Sequence, residues 1–402
     1  MKILMISDVY FPRVNGVSTS IRTFRRELTA LGHAVDLIAP AYPAQSEDEG
    51  CLRVPSRFIP FDAEDRMMRP REVRALLPRL AARHYDLVHI QTPFVAHYAG
   101  IEIADALGVP RVETYHTFFE EYLFHYVPVL PRNWLRALSR RISRRQGNCM
   151  NALIVPSTAM RDKLADYGVQ VPMHVIPTGI PIGEFSGGNG ETFRRQHGIP
   201  RDRPMLLYVG RVAHEKNIPF LVHALEGALA QIPELLLTIA GEGPALPALK
   251  KLAAQRNLQD HVLFVGYLDR RGALLDCYRS ATAFVFASRT ETQGLVLLEA
   301  MALGVPVIST AVMGTRDIVG PQRGALVPDD DEADFARAIV KLSKDPALRA
   351  RLSEEGRAYA AEWSAESLAR RMADLYQEII GAGVCGADKQ AVAARAAAVT
   401  MR

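Results

Sequence analysis

Apolar residues recur along this chain as short unbroken runs, each followed by a polar loop and then by an amphipathic stretch. Residues 2–7, 35–39, 87–91, 109–114, 152–156 and 174–177 have this form in the first half. Residues 205–209, 235–240, 262–265, 283–287, 305–309 and 325–327 have it in the second. Apolar runs without alternation mark parallel strands covered on both faces. Helical spacing fills the intervals, as at 18–31 before Gly32, at 100–107 and at 363–380. The alternation predicts an α/β fold of open, doubly wound parallel sheets. The Gly-rich run at 186–190 reads as a flexible joint between two domains.

Residues 281–310 form the stretch around which the second half is organised. A buried strand is followed by a polar loop, Gly294, a Leu- and Ala-rich helix, and the stop Gly304 and Pro306. A loop that leaves the carboxyl end of a strand and opens a helix presents unpaired N–H groups to an anion. Gly294 lets a ligand approach the backbone, so Gln293, Gly294 and Leu295 are candidate donor-binding residues. Glu291 lies in this loop and Glu299 about two helical turns later. A carboxylate repels phosphate but accepts from hydroxyls. The pair therefore fits a nucleotide-sugar, with sugar on Glu291, diphosphate on the amides and ribose on Glu299. On spacing alone, a helix-start carboxylate and a surface glutamate account for them as well.

Other strand ends carry further candidates. Arg211 and Lys216 follow the strand at 205–209, where a planar fork and a point charge suit a diphosphate; exposed loop cations are the alternative. Glu215 is placed to orient Lys216. His116 ends the strand at 109–114, where open sheets bind ligands, or else it shapes its loop. Asn15 and Gly16 make a second candidate anion turn, and Gly210 and Gly241 let a donor pass close to backbone. His89, His97 and His125 read as structural. Asp329, Asp330 and Asp331 read as a helix start rather than a metal site.

The string from Ser288 to Val307, with Glu291 and Glu299 in register, resembles the signature of the retaining glycosyltransferases of family 4. Gln293 stands where many members have an aromatic residue. The resemblance covers residues 2–380 and implies two Rossmann-like domains facing across a cleft, the GT-B arrangement. It implies an N-terminal acceptor domain (1–185), a C-terminal nucleotide-sugar domain (192–362) and a helix (363–380) crossing back to the first domain; the Ala-rich composition after it reads as a flexible tail (381–402). By the same resemblance His116 contacts the transferred sugar, Gly16 faces the donor, Arg211 and Lys216 clamp the pyrophosphate, and the Gly266–Tyr267 corner holds the base. The leaving diphosphate helps to deprotonate the acceptor, with no metal and no cofactor. Segments around Phe11, His89 and His116 look most like the branch that glucosylates diacylglycerol, with UDP-glucose as donor. A GDP-mannose-dependent mannosyltransferase, a soluble UDP-sugar epimerase and a non-catalytic sugar-nucleotide-binding protein are the alternatives.

Charge adds a membrane to this picture. Phe118 and Phe119 open an aromatic, apolar stretch, and residues 132–145 carry six arginines and no acid. Trp134, Leu138 and Ile142 form a stripe beside Arg136, Arg140, Arg141 and Arg144, which suits an anionic lipid surface or, equally, a half-buried helix with a solvated face. A second basic segment spans 66–83 with Leu76, Leu77 and Leu80. The net charge of +4 is too small to point to nucleic acid. The four cysteines lack paired spacing, which reads as reduced thiols. Met1 runs straight into a strand, which reads as no signal peptide, and no apolar run reaches membrane-span length. The expectation is a cytoplasmic enzyme, peripheral on the inner face of a membrane.

Overall fold

The computed structural model describes residues 1–43, 48–59, 62–116, 132–270 and 272–383. The chain divides into two compact units, Met1–Gly179 with Ala365–Arg402, and Ile180–Ser364.

The first unit holds a seven-stranded sheet in the order β3-β2-β1-β6-β7-β8-β9. Its strands are β1 (Lys2–Ile6), β2 (Ala34–Pro40), β3 (Cys51–Val54), β6 (Leu87–Ile90), β7 (Arg111–Thr114), β8 (Ala152–Val155) and β9 (Met173–Val175). Every pairing in it is parallel. β1, β6 and β8 are buried along their whole described length or nearly so, as their unbroken apolar runs predict. β4 (Ser56–Ile59) and β5 (Asp62–Met68) form an antiparallel hairpin. The helix Ala365–Ala382 packs here: Leu368, Met372 and Tyr376 join the core formed by Ile3, Met5 and Ile21. Tyr376 hydroxyl meets His89 Nδ1 at 2.6 Å, inside the core.

Three readings change. The helix expected at 100–107 starts earlier, at Val95. Asp8, beyond β1, accepts from Ala96 N–H at 3.0 Å and from Thr92 hydroxyl at 2.9 Å, a cap supplied from 88 residues away. The basic segment at 66–83 is not one amphipathic helix. Arg66 belongs to β5, and Pro70 and Pro78 each open a short helix, Pro70–Arg74 and Leu77–Ala81. Its arginines are partly engaged: Arg74 with Glu102 at 2.7 Å, Arg83 with Asp36 at 2.6 Å. Third, the run at 186–190 is packed rather than flexible and lies inside the second unit. A Cβ on Gly188 would come within 2.7 Å of Leu275 carbonyl, and one on Gly190 within 2.5 Å of Arg279 carbonyl. The division falls at Gly179 instead.

The second unit holds a six-stranded sheet in the order β12-β11-β10-β13-β14-β15. Its strands are β10 (Met205–Val209), β11 (Leu236–Ala240), β12 (Val262–Gly266), β13 (Ala283–Phe286), β14 (Val307–Ser309) and β15 (Ala325–Leu326), all parallel. Helices Ile218–Leu229, Leu295–Ala302 and Glu332–Lys344 contribute Leu221, Leu298 and Phe335 to the core beside these strands. Asp331 caps the last of these helices by accepting from Asp334 N–H at 2.9 Å. In both units the strand order reverses once, between β1 and β6 and between β10 and β13, the doubly wound pattern.

Candidate active site

Beyond β10 and β13, at the reversal of the second sheet, two loops run side by side. In open α/β sheets this is where ligands bind. The first loop passes through the 3-10 turn His214–Lys216 to Asn217, whose φ is 54°. Asn217 Nδ2 donates to Ala287 carbonyl at 3.2 Å, and Thr290 hydroxyl donates to Glu215 carbonyl at 3.3 Å. So tied, the loops bring Lys216 Nζ to 2.6 Å from Glu291 Oε2, with the two side chains 21% and 22% exposed. The sequence assigns these two residues to different parts of a ligand; the structure pairs them directly. Glu215 does not orient Lys216. It faces Arg211, four residues back, at 3.8 Å in an exposed and weak pair.

The glycines of the neighbouring loops answer to packing. A Cβ on Gly241 would lie 1.9 Å from the carbonyl oxygen of Gly210, whose own φ is 153°. Backbone is stacked on backbone there, whatever else the loops bind. Gly266 has φ 70° and Tyr267 is 67% exposed at the same end of the sheet.

Gly294, at φ 91°, caps Leu295–Ala302. The first-turn N–H groups of that helix carry the positive end of its dipole, and that of Leu297 donates to the Gly294 carbonyl at 3.0 Å. Gln293 is buried and Leu295 half-buried. Gly314 holds the loop from behind. Its N–H donates to Glu291 carbonyl at 2.9 Å, and a Cβ on it would lie 1.9 Å from Thr292 carbonyl.

Glu299 is deeply buried and engaged on both oxygens. Tyr278 hydroxyl donates to Oε2 at 2.9 Å, and Arg270 Nη2 donates to Oε1. Burial, then the Glu299 charge, push the Tyr278 hydroxyl well above its ordinary pKa. The Glu299 charge raises that of Arg270. Each carboxylate oxygen keeps a second lone pair for a ligand hydroxyl. Sequence reasoning missed Arg270 and Tyr278; the cationic run beyond the Gly266 corner was the one local hint.

In the first unit, His116 follows β7, and its Nε2 lies 3.1 Å from Oε1 of buried Gln91, at the end of β6. Burial lowers the His116 pKa to about 4. The ring is neutral near pH 7, so Nε2–H donates to Gln91 and Nδ1 presents a lone pair. Two strand positions back, Thr114 hydroxyl meets His89 Nε2 at 2.7 Å. Burial pushes His89 down to about 3. His97 Nδ1 meets Glu113 at 2.9 Å, both buried. His89 and His97 thus have protein partners in the core.

The turn at Asn15 is a capping box. Asn15 Oδ1 accepts from Ser18 N–H at 2.8 Å and Ser18 Oγ from Asn15 N–H at 2.9 Å. Gly16, the first residue of Gly16–Ala30, has open space where a Cβ would stand.

The helix Arg132–Gly147 buries Ser139, Ser143 and Gln146 and exposes Trp134, Arg140, Arg141 and Arg144. Arg140 also lies over the Tyr167 ring, 5.3 Å from its centroid. The Arg136 side chain, Phe118, Phe119, His125 and the tail beyond Gly383 lie outside the described residues. Among the described residues, no group of three His, Cys, Asp or Glu is placed to hold a metal ion. No described helix is long and apolar enough to cross a membrane.

The model of the Glycosyl transferases group 1 family matches residues 189–359, and that of Glycosyltransferase Family 4 matches residues 14–184. The chain is 34% identical over 394 residues to an alpha-monoglucosyldiacylglycerol synthase of Streptococcus pneumoniae, spanning 94% of this chain and 86% of that protein. The chain belongs to glycosyltransferase family 4. A GDP-mannose-dependent alpha-mannosyltransferase of Mycolicibacterium smegmatis is 31% identical to this glycosyltransferase, over 95% of this chain and 96% of that protein. Among solved structures, sucrose-phosphate synthase from Thermosynechococcus elongatus superposes with a TM-score of 0.75 at 25% identity, covering 95% of this chain and all of that one. The expected fold class, two doubly wound domains of the GT-B family, and the expected enzyme class both stand. The switch-point loops of the second unit are accordingly the glycosyltransferase's candidate active site.

Proposed function

We propose that this glycosyltransferase moves glucose from UDP-glucose to diacylglycerol at a membrane surface, with retention of configuration and without a metal ion. The observation that carries the reading is the meeting of Lys216 and Glu291 beside the Gly294 helix start, in a chain similar to a monoglucosyldiacylglycerol synthase over most of its length. Lys216, Arg211 and the amides at 293–295 carry the charge of the departing diphosphate. Glu291 accepts from sugar hydroxyls, Glu299 from the ribose diol, and His116 takes a sugar hydroxyl on Nδ1. Gly210, Gly241, Gly266 and Tyr267 line the path of the base and ribose, and Gly16 admits the donor. Trp134, Arg136, Arg140, Arg141 and Arg144, with Phe118 and Phe119, meet the lipid, which puts the enzyme on the inner face of the membrane. Exposed Trp134 beside exposed arginines supports this assignment.

The test incubates the full chain with a panel of UDP- and GDP-sugars and diacylglycerol vesicles, with and without a chelator. A glucolipid formed from UDP-glucose, unaffected by the chelator, is expected. The mannosyltransferase relative makes GDP-mannose the competing donor. Transfer only from GDP-mannose, or only to soluble acceptors, would replace this reading.

A further inference from the structure

The amino-terminal edge of the second sheet, opposite the loops just described, carries a second cationic site. Pro204, Thr282 and Pro306, which precede β10, β13 and β14, line a cavity of about 470 Å³ there. Its lining belongs wholly to the second unit. The walls present Arg194, Arg201, Arg203 and Arg349 against a single carboxylate, Asp202. Arg357 adds a guanidinium at the rim, with Nη1 2.0 Å from where a Cβ on lining residue Gly304 would stand.

Most of the acceptors that these arginines reach are neutral. Arg194 donates to the carbonyls of Pro200, Arg203 and Ser280 at 2.7, 2.9 and 2.7 Å. Arg203 donates to those of Glu234 and Asp260 at 2.7 and 2.6 Å. Arg349 Nη1 donates to those of Leu342 and Ser343 at 2.8 and 2.6 Å. Carbonyls satisfy N–H groups without cancelling charge. Of these arginines, Arg201 alone has a carboxylate partner among the described residues, Glu191 at 2.8 Å on the open surface. Burial lowers the Arg194 pKa, with Asp202 opposing it. Ser343 also lines the cavity, while its Oγ is covered and has no hydrogen-bond partner among the described residues.

Excess donors, excess positive charge and occupied acceptors call for a ligand made of acceptors alone. A carboxylate offers two oxygens in one plane; a phosphate offers three or more in a tetrahedron, and up to two charges, to guanidinium groups arriving from several sides. We infer that this cavity binds a phosphate group, gripped by Arg203 and Arg349. The inference does not rest on the donor or acceptor proposed above.

Calorimetry on the full chain with inorganic phosphate, with UDP present to fill the donor site, tests it. One phosphate per chain is expected. Arg349→Gln removes a charge-assisted contact and should weaken it roughly tenfold or more. Lys216→Met should leave it unchanged. Ser343→Asp puts a carboxylate where the ligand sits, and should abolish binding while the unfolding temperature holds or rises. Vesicles containing phosphatidic acid distinguish the source. Their competition with inorganic phosphate identifies a lipid headgroup, and inorganic phosphate bound without such competition identifies the free ion. Phosphate binding that follows Lys216→Met, or that survives Ser343→Asp, overturns the inference, as does heat of an adventitious ion only, indifferent to every variant.

Discussion

Glu291→Gln is expected to tighten UDP binding while slowing turnover. Lys216 is held by Glu291 at 2.6 Å. UDP has no sugar for Glu291, so its phosphates must draw the ammonium away from the carboxylate and then sit near that charge. Unit charges ~4 Å apart interact by about 1 kcal/mol in water and about 4 kcal/mol at an effective dielectric of 20. Side chains 21% and 22% exposed lie nearer the wet limit, so neutralising Glu291 should return about 1–2 kcal/mol. That is about five- to thirtyfold in UDP affinity. Turnover should fall about 10- to 150-fold, the range for a lost hydrogen bond to a charged group. Titration calorimetry with UDP gives the first quantity and initial rates at saturating donor the second. Lys216→Met completes the cycle: it weakens UDP, and adding Glu291→Gln to it should regain little, because no ammonium is left to release. UDP affinity unchanged or weaker in Glu291→Gln refutes the idea that this ion pair competes with the donor.

Three further outcomes can be checked. Arg270→Met strands the buried Glu299 charge and should lower urea-unfolding stability by about 2 kcal/mol, a figure discounted because Arg270 is 43% exposed. Burial raises Asp8 from 3.8 to about 6, so the native state holds its proton more tightly than the unfolded chain. Its contribution is full below pH 3.8 and lost as pH rises through 6, about 3 kcal/mol in all, so the stability of wild type relative to Asp8→Asn should fall between pH 4 and 7.5 in denaturant titrations. Gln91→Glu sets a carboxylate against His116 Nε2 and should raise the ring's pKa from about 4, read from imidazole NMR; a titration that does not move removes Gln91 from control of the tautomer.

Much of this was legible one segment at a time. Buried parallel strands announce themselves as unbroken apolar runs, and the cap at Asp331 needs only its own helix. The loops at 210–217 and 287–294 read as candidate ligand loops because each follows such a run. What stayed hidden depends on chain segments far apart in sequence. Nothing near Val95 signals that Asp8 starts its helix, and nothing near Glu215 shows that Lys216 turns to Glu291 instead. The partners of Glu299 stayed out of view because Arg270 and Tyr278 precede it by 29 and 21 positions. The Gly-rich run at 186–190 misled for the same reason: glycine marks flexible joints and close packing alike, and only Leu275 and Arg279 decide between them.

The His89–Tyr376 contact bears on how the chain is made. The second unit is one continuous segment, complete when Ser364 has been added, so it has all of its own core before the helix Ala365–Ala382 is made. The first unit does not: Leu368, Met372 and Tyr376, which join the core of Ile3, Met5 and Ile21, follow the whole of the second unit in the chain. In synthesis the second unit therefore has its full sequence before the first does. Truncations near the C-terminus should act on the N-terminal half, as loss of its final wall.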